Sequence, residues 1–105
     1  MDLNQTDWKS HPDNNNNAII LDVRADHEVA EGIIPNAINI DIYGGQLFMD
    51  EINKLDKSKS YFVYCKAGGR SAQACSIMNQ LGFEKTYNLL GGFNNWAGKK
   101  ETFSL

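Results

Sequence analysis

The chain has 105 residues, of which 42% are hydrophobic, and its formal net charge is −3. This length fits one domain that buries roughly 65% of its unfolded surface, so we expect residues 1–105 to form a single domain with a core at about 18–98. The ten Lys and Arg residues are scattered along the chain, which argues against a nucleic-acid partner.

Other whole classes of protein are disfavoured by simple sequence features. The apolar runs fall short of the roughly 20 residues that span a membrane. The first ten residues, MDLNQTDWKS, have no signal-peptide pattern, and two cysteines are too few for a disulfide scaffold. We therefore expect a cytoplasmic protein that binds small molecules or other proteins rather than a membrane.

Apolar runs and helical periodicity alternate along the chain. Leu3 predicts an edge strand, Thr6–His11 a helical turn before Pro12, and residues 14–17 a loop. The predicted strands that follow are Ala18–Val23, Ala37–Ile42, Tyr61–Tyr64 and Thr86–Leu89, and the predicted helices are Asp26–Glu31, a stretch within Gln46–Leu55, and Arg70–Leu81, ended by Gly82. This order predicts an α/β fold: a mostly parallel sheet of about five short strands, with helices on both faces and ligands at the carboxyl ends of the strands.

The most informative segment is YFVYCKAGGRS, at 61–71. It leads from a buried strand directly into Cys65, two glycines and the start of a helix. Gly68 and Gly69 permit the backbone angles with which successive N–H groups converge on an anion. The helix N-terminus also favours negative charge, and Lys66 and Arg70 add positive charge at the rim. A thiol in such a place ionises more readily than a free one.

We therefore predict Cys65 as the catalytic nucleophile. The substrate-binding loop is predicted to consist of the six residues that follow it, Lys66, Ala67, Gly68, Gly69, Arg70 and Ser71.

Three motifs in order resemble the single-domain rhodaneses, a sulfurtransferase family. The loop of that family has the form Cys-x-x-Gly-x-Arg-Ser, as Cys65–Ser71 does here. The upstream signature is matched by LDVR at 21–24, then Glu28, Gly32 and AINI at 37–40, and the closing turn by LGGFNNW at 90–96. The chain differs from the family pattern at Ile33, where the family has histidine, and at Asn36, where it has glycine.

The resemblance implies a rhodanese-like fold and a thiosulfate sulfurtransferase without a cofactor. Cys65 would take the outer sulfur of a donor such as thiosulfate or a cysteine desulfurase persulfide, and would hold it as a persulfide. An acceptor such as thioredoxin, glutathione, another thiol or cyanide would then remove it. This is covalent catalysis in two steps.

Two alternatives remain open at the level of sequence. Related phosphatases and arsenate reductases of this fold have five residues between Cys and Arg, which makes room for a tetrahedral oxyanion. Only four residues, 66–69, separate Cys65 from Arg70, and this shorter loop suits one extra sulfur atom. The second alternative is a non-catalytic interaction domain that uses the same fold.

The remaining polar candidates are predicted to be structural. Cys75 lies on the apolar face of the helix after Cys65 and is interpreted as a buried thiol. His11 and His27 have no metal-ligand spacing, and no metal site is predicted.

Two further groups are assigned to the fold and the pocket. We interpret Asp22, Arg24 and Glu28 as an ion-pair cluster that ties the first long strand to the next helix. We expect Gly91, Gly92 and Phe93 to line the pocket and Trp96 to lie in the core.

Overall fold

A computed structural model describes residues 1–13 and 17–102 of the chain. Its strands are β1 (Asp2–Leu3), β2 (Ala18–Asp22), β3 (Ile38–Asn39), β4 (Ser60–Tyr64) and β5 (Lys85–Leu89). Its α-helices are α1 (Gln5–Asp13), α2 (Asp26–Val29), α3 (Gln46–Asn53) and α4 (Gly69–Gln80). Short 3-10 turns occupy Ile42–Gly44 and Phe93–Asn95.

The five strands form one sheet in the order β1-β5-β4-β2-β3, and neighbouring strands are parallel. Val63 of β4 lies opposite Leu21 of β2 on one side and Asn88 of β5 on the other. β4 is therefore central, and all five of its residues are buried. The predicted α/β fold with a parallel sheet is confirmed, and the residue after β4, Cys65, lies at the carboxyl edge of the sheet.

Side chains that alternate along β4 divide between two apolar clusters, as a pleated strand requires. Tyr61 and Val63 pack with residues of α3 and α4. Phe62 and Tyr64 pack in the other cluster with Trp8 of α1. Helices therefore cover both faces of the sheet, as the alternating sequence predicted.

α4 has well-defined ends that follow from two glycines. Gly68, with φ of 107°, precedes its first turn. At the other end Gly82 has φ of 102°, its N–H donates to the Asn79 carbonyl, and the N–H of Phe83 donates to the Met78 carbonyl. This is the Schellman arrangement, and it confirms the predicted end of the helix at Gly82.

The predicted strand at 37–42 is shorter in the structure. Only Ile38–Asn39 belongs to β3, because β2 ends at Asp22. Beyond that point the chain is held by single hydrogen bonds, from the Ile40 N–H to the Asp22 carbonyl and from the Ile42 N–H to the Val23 carbonyl. It then turns where the Asp41 carboxylate accepts a hydrogen bond from the Tyr43 N–H.

The packed core extends further towards the N-terminus than 18–98. The Trp8 ring meets the rings of Phe62, Tyr64 and Trp96 edge to face, with centroids 5.5 to 6.2 Å apart. Each such pair stabilises the fold by about 0.5 to 1.5 kcal/mol beyond area burial. α1 carries Trp8 and is longer than the predicted turn. Trp96 is buried, as expected.

The predicted loop at 14–17 falls largely outside the described residues. Among the helices of the described ranges, none has the length and apolar character needed to cross a membrane. In the same ranges the structure contains no group of three or more His, Cys, Asp and Glu side chains that could hold a metal ion.

Candidate active site

The Cys65 sulfur accepts hydrogen bonds from the loop that follows it. The Gly68 N–H lies 3.1 Å from the sulfur and the Ser71 hydroxyl oxygen lies 3.3 Å from it. Gly68 has a φ of 107°, a conformation that other residues reach only with strain. One backbone N–H and one hydroxyl therefore contact the thiol, in the loop where the sequence predicts that N–H groups converge.

This environment lowers the pKa of Cys65 below that of an ordinary thiol. Burial of the sulfur, the largest single influence, opposes ionisation. Hydrogen bonds from the Ser71 hydroxyl and from the backbone N–H groups of Ser71, Gly68 and Ala67 outweigh it. Hydrogen bonds to the charged form favour that form, so the loop stabilises a thiolate.

Asn88 is a site residue that the sequence analysis missed. Its Oδ1 lies within hydrogen-bond distance of the Ser71 hydroxyl and shares the single proton of that hydroxyl with the Cys65 sulfur. Its Nδ2 donates to the Gly68 carbonyl and to Asp2. The amide is buried on β5. One sequence signal was available, because a polar Asn interrupts the apolar run of a strand next to β4.

Arg70 does not extend freely over the loop. Its Nη1 and Nη2 donate to Oε1 and Oε2 of Glu28 at 2.6 and 2.7 Å, and its guanidinium carbon lies 5.6 Å from the centroid of the Tyr43 ring. The hydrogen bond from Arg70 lowers the pKa of Glu28 to about 2. Glu28 in turn raises the pKa of Arg70, so both side chains are charged.

The predicted cluster of Asp22, Arg24 and Glu28 is therefore wrong in one member. Arg24 pairs with Asp22 at 2.7 Å and also donates to the backbone carbonyls of Glu28 and Gly32. This buried pair ties β2 to α2, as expected. The Glu28 carboxylate belongs instead to Arg70, because the carboxyl ends of β2 and β4 are neighbours at the same edge of the sheet.

The 90–96 turn supports the loop by contacts with its backbone. The Phe93 N–H donates to the Cys65 carbonyl, and the Asn94 N–H donates to the Lys66 carbonyl. A Cβ on Gly92 would lie 2.5 Å from the Lys66 carbonyl oxygen, so this close approach requires glycine. The Phe93 ring packs under the Arg24 guanidinium, with 4.3 Å between the guanidinium carbon and the ring centroid.

The remaining loop residues form its rim. The side chains of Lys66 and Ala67 are exposed, as is Gly69 in the first turn of α4. Cys65 itself is 1% exposed. Cys75 is also buried, and burial raises its pKa to about 11, which keeps it protonated at neutral pH.

Fold and site together define an α/β protein that stabilises a thiolate at the carboxyl end of its central strand. The chain matches the family model described as Rhodanese-like domain over residues 5–99. It belongs to the rhodanese-like domain family.

Individual relatives agree with this membership. YtwF of Bacillus subtilis is 41% identical over 80 residues, which cover 76% of this chain and 74% of that protein. A protein named sulfurtransferase from Allochromatium vinosum is 35% identical over 79 residues, 75% of this chain and 71% of that one. The crystal structure of a rhodanese-like domain protein from Staphylococcus aureus superposes with a TM-score of 0.83 at 29% identity and covers 98% of both chains.

The same sequence pattern also occurs within a longer protein of a different name. A tRNA uridine(34) hydroxylase from Cytophaga hutchinsonii is 33% identical over 92 residues, which are 86% of this chain but 29% of that protein. Family membership therefore defines the type of domain but not the reaction, which depends on the residues of the site.

Proposed function

We propose that the protein is a sulfurtransferase that carries sulfane sulfur as a persulfide on Cys65. The observation that carries the proposal is the buried Cys65 sulfur with its lowered pKa, held by the Gly68 N–H and the Ser71 hydroxyl. A thiolate is the nucleophilic form of cysteine. Oriented N–H donors also stabilise the negative charge of a persulfide formed at the same place.

In the first step the Cys65 thiolate attacks the outer sulfur of a donor such as thiosulfate. The new S–S bond forms as the S–S bond of thiosulfate breaks, and its electron pair leaves with sulfite. The products are the Cys65 persulfide anion and sulfite, so the charge is conserved.

In the second step an acceptor attacks the outer sulfur of the persulfide. Cyanide gives thiocyanate and restores the Cys65 thiolate. A thiolate acceptor, such as glutathione or thioredoxin, becomes a persulfide itself. The exposed rim of Lys66, Ala67 and Gly69 favours an acceptor that approaches from solvent, and this includes the thiol of a protein.

Two features favour sulfur transfer over a phosphatase or an arsenate reductase. Cys65 is 1% exposed, so the projecting outer sulfur of a donor reaches it more readily than the central atom of a phosphate or arsenate, which three or four oxygens surround. Arg70 also directs both terminal nitrogens to Glu28, so two of its five N–H donors and its charge are already paired, which weakens its hold on such an anion.

The proposal is tested by the formation of thiocyanate from thiosulfate and cyanide. We expect turnover by the wild type and by Cys75→Ser, and none by Cys65→Ser. Turnover that persists in Cys65→Ser would overturn the assignment. An aryl phosphatase activity that depends on Cys65 would favour the alternative enzyme class, and absence of both activities with an unreactive Cys65 would favour an interaction domain.

A further inference from the structure

Glu28 places a negative charge against Arg70, a residue of the loop that follows Cys65. It holds Arg70 through two parallel hydrogen bonds of 2.6 and 2.7 Å. The side chains of Arg70 and Glu28 are 19% and 13% exposed, so solvent screens the pair less than it would a surface pair. Such a two-point contact fixes geometry as well as charge.

Arg70 directly precedes Ser71, whose hydroxyl oxygen lies 3.3 Å from the Cys65 sulfur. After the contact with Glu28 and the opposing effect of burial, the negative charge of Cys65 is one of the influences that raise the pKa of Arg70. Tyr43, which is 72% exposed, has its ring centroid 5.6 Å from the guanidinium carbon. The cation therefore belongs to the loop around the Cys65 sulfur, and a carboxylate is already attached to it.

This arrangement has a consequence for the donor that approaches. The charges of Arg70 and Glu28 cancel at a distance, so an incoming anion meets the thiolate without an uncompensated guanidinium. The attraction that an unpaired Arg70 would exert on a donor grows with the negative charge of the donor. By neutralising Arg70, Glu28 removes twice as much attraction from a donor with two negative charges as from a donor with one.

We propose that Glu28 is a charge-selectivity residue, which lowers the reactivity of Cys65 towards dianionic sulfur donors relative to donors of lower charge. The proposal rests on the proposed sulfurtransferase function and specifies its substrate class. Thiosulfate, a dianion, is then a poorer donor than an organic thiosulfonate or persulfide with a single negative charge.

The test compares two donors that undergo the same substitution at sulfur. Thiosulfate carries two negative charges and loses sulfite, whereas benzenethiosulfonate carries one and loses benzenesulfinate. With cyanide as the common acceptor, kcat/KM is measured for both donors from thiocyanate formation. The ratio of the two values, thiosulfate over benzenethiosulfonate, reports charge selectivity and cancels general losses of activity.

We expect Glu28→Gln to raise this ratio about tenfold at low ionic strength, because one unit of charge near the donor is removed. The rise should come mainly from KM for thiosulfate, and it should shrink as salt is added. Glu28→Asp keeps the charge and should keep the wild-type ratio. Glu31→Gln, which removes an exposed carboxylate three residues further along the chain, should also leave it unchanged.

A ratio that stays constant in Glu28→Gln would overturn the proposal. So would an equal rise in Glu28→Asp or in Glu31→Gln, because the effect would then not come from the charge at this position. The proposed sulfurtransferase function is tested by a different measurement, the addition of sulfur to Cys65. If benzenethiosulfonate adds sulfur to wild-type Cys65 while the ratio is insensitive to Glu28, the sulfurtransferase proposal stands and the charge-selectivity proposal fails.

Discussion

Asn88 donates a hydrogen bond to Gly68, with 3.3 Å between the amide nitrogen and the carbonyl oxygen. The N–H of the same glycine lies 3.1 Å from the Cys65 sulfur. A side chain of β5 therefore holds the residue that donates to the thiol, without contacting the sulfur itself. The loop is supported from the neighbouring strand as well as from its own helix.

We expect Asn88→Ala to lower the free energy of unfolding by about 1 to 3 kcal/mol, because the Gly68 carbonyl loses its amide partner. The Gly68 amide should also exchange its hydrogen faster. Chemical denaturation and hydrogen exchange measure the two effects. Asn94→Ala, at an exposed position of the 90–96 turn, is the matched control, and an equal change in both variants would refute the role of Asn88.

Ser71→Ala should raise the pKa of Cys65 by about half to one unit. The hydroxyl is a hydrogen-bond donor to the sulfur, and one such bond is worth about 1 kcal/mol. The pH dependence of alkylation by iodoacetamide gives the pKa. Ser76→Ala, at an exposed position of the same helix, should behave as the wild type. An unchanged pKa in Ser71→Ala would show that the backbone N–H groups suffice.

Gly92→Ala should destabilise the protein by more than about 2 kcal/mol. Its Cβ would lie 2.5 Å from the Lys66 carbonyl oxygen, and its φ of 58° is unfavourable for alanine. Gly69→Ala is the contrasting variant, because a Cβ there meets nothing within 4 Å. At the first helical position alanine should stabilise by about 0.5 kcal/mol. Similar unfolding midpoints for the two variants would contradict the close approach of Gly92.

The Arg70–Glu28 pair should make stability depend on pH in the acid range. The pKa of Glu28 falls from 4.5 to about 2 because Arg70 donates to its carboxylate. A lowered pKa contributes stability above the unfolded-state value, and this contribution is lost as the pH falls from about 4.5 to 2. We expect Glu28→Gln to be less stable at neutral pH and to lose less stability over that interval, whereas Glu31→Gln should keep the wild-type slope. Parallel stability curves for wild type and Glu28→Gln would disprove the pairing.

Much of the fold could be predicted because its signals are local. Apolar runs such as Tyr61–Tyr64 and the Gly82 helix end depend on neighbouring residues, and both are confirmed. β3 was predicted too long because alternation at 37–42 does not reveal that the partner strand ends at Asp22. Trp8 was missed because its burial depends on Trp96, which is 88 positions away in the chain.

The cysteine loop was accessible from sequence for the same reason. Cys65, Gly68 and Ser71 lie within seven residues, and their spacing brings two donors to one sulfur. The partners of this loop are distant in sequence. Glu28 is 42 residues from Arg70 and Asn88 is 17 from Ser71, so only the sheet order shows that they meet. The position of Arg70 in the loop therefore suggested a positive charge at the rim, whereas the structure shows an ion pair with Glu28.

Cys65 is proposed to accept and hold one sulfane sulfur atom. The most direct measurement is the intact mass of the protein after incubation with a sulfane sulfur donor, benzenethiosulfonate or thiosulfate, and removal of the excess. We predict a gain of one sulfur atom in the wild type and in Cys75→Ser, absent from Cys65→Ser and reversed by cyanide. No gain with either donor, or a gain that survives in Cys65→Ser, would contradict the account.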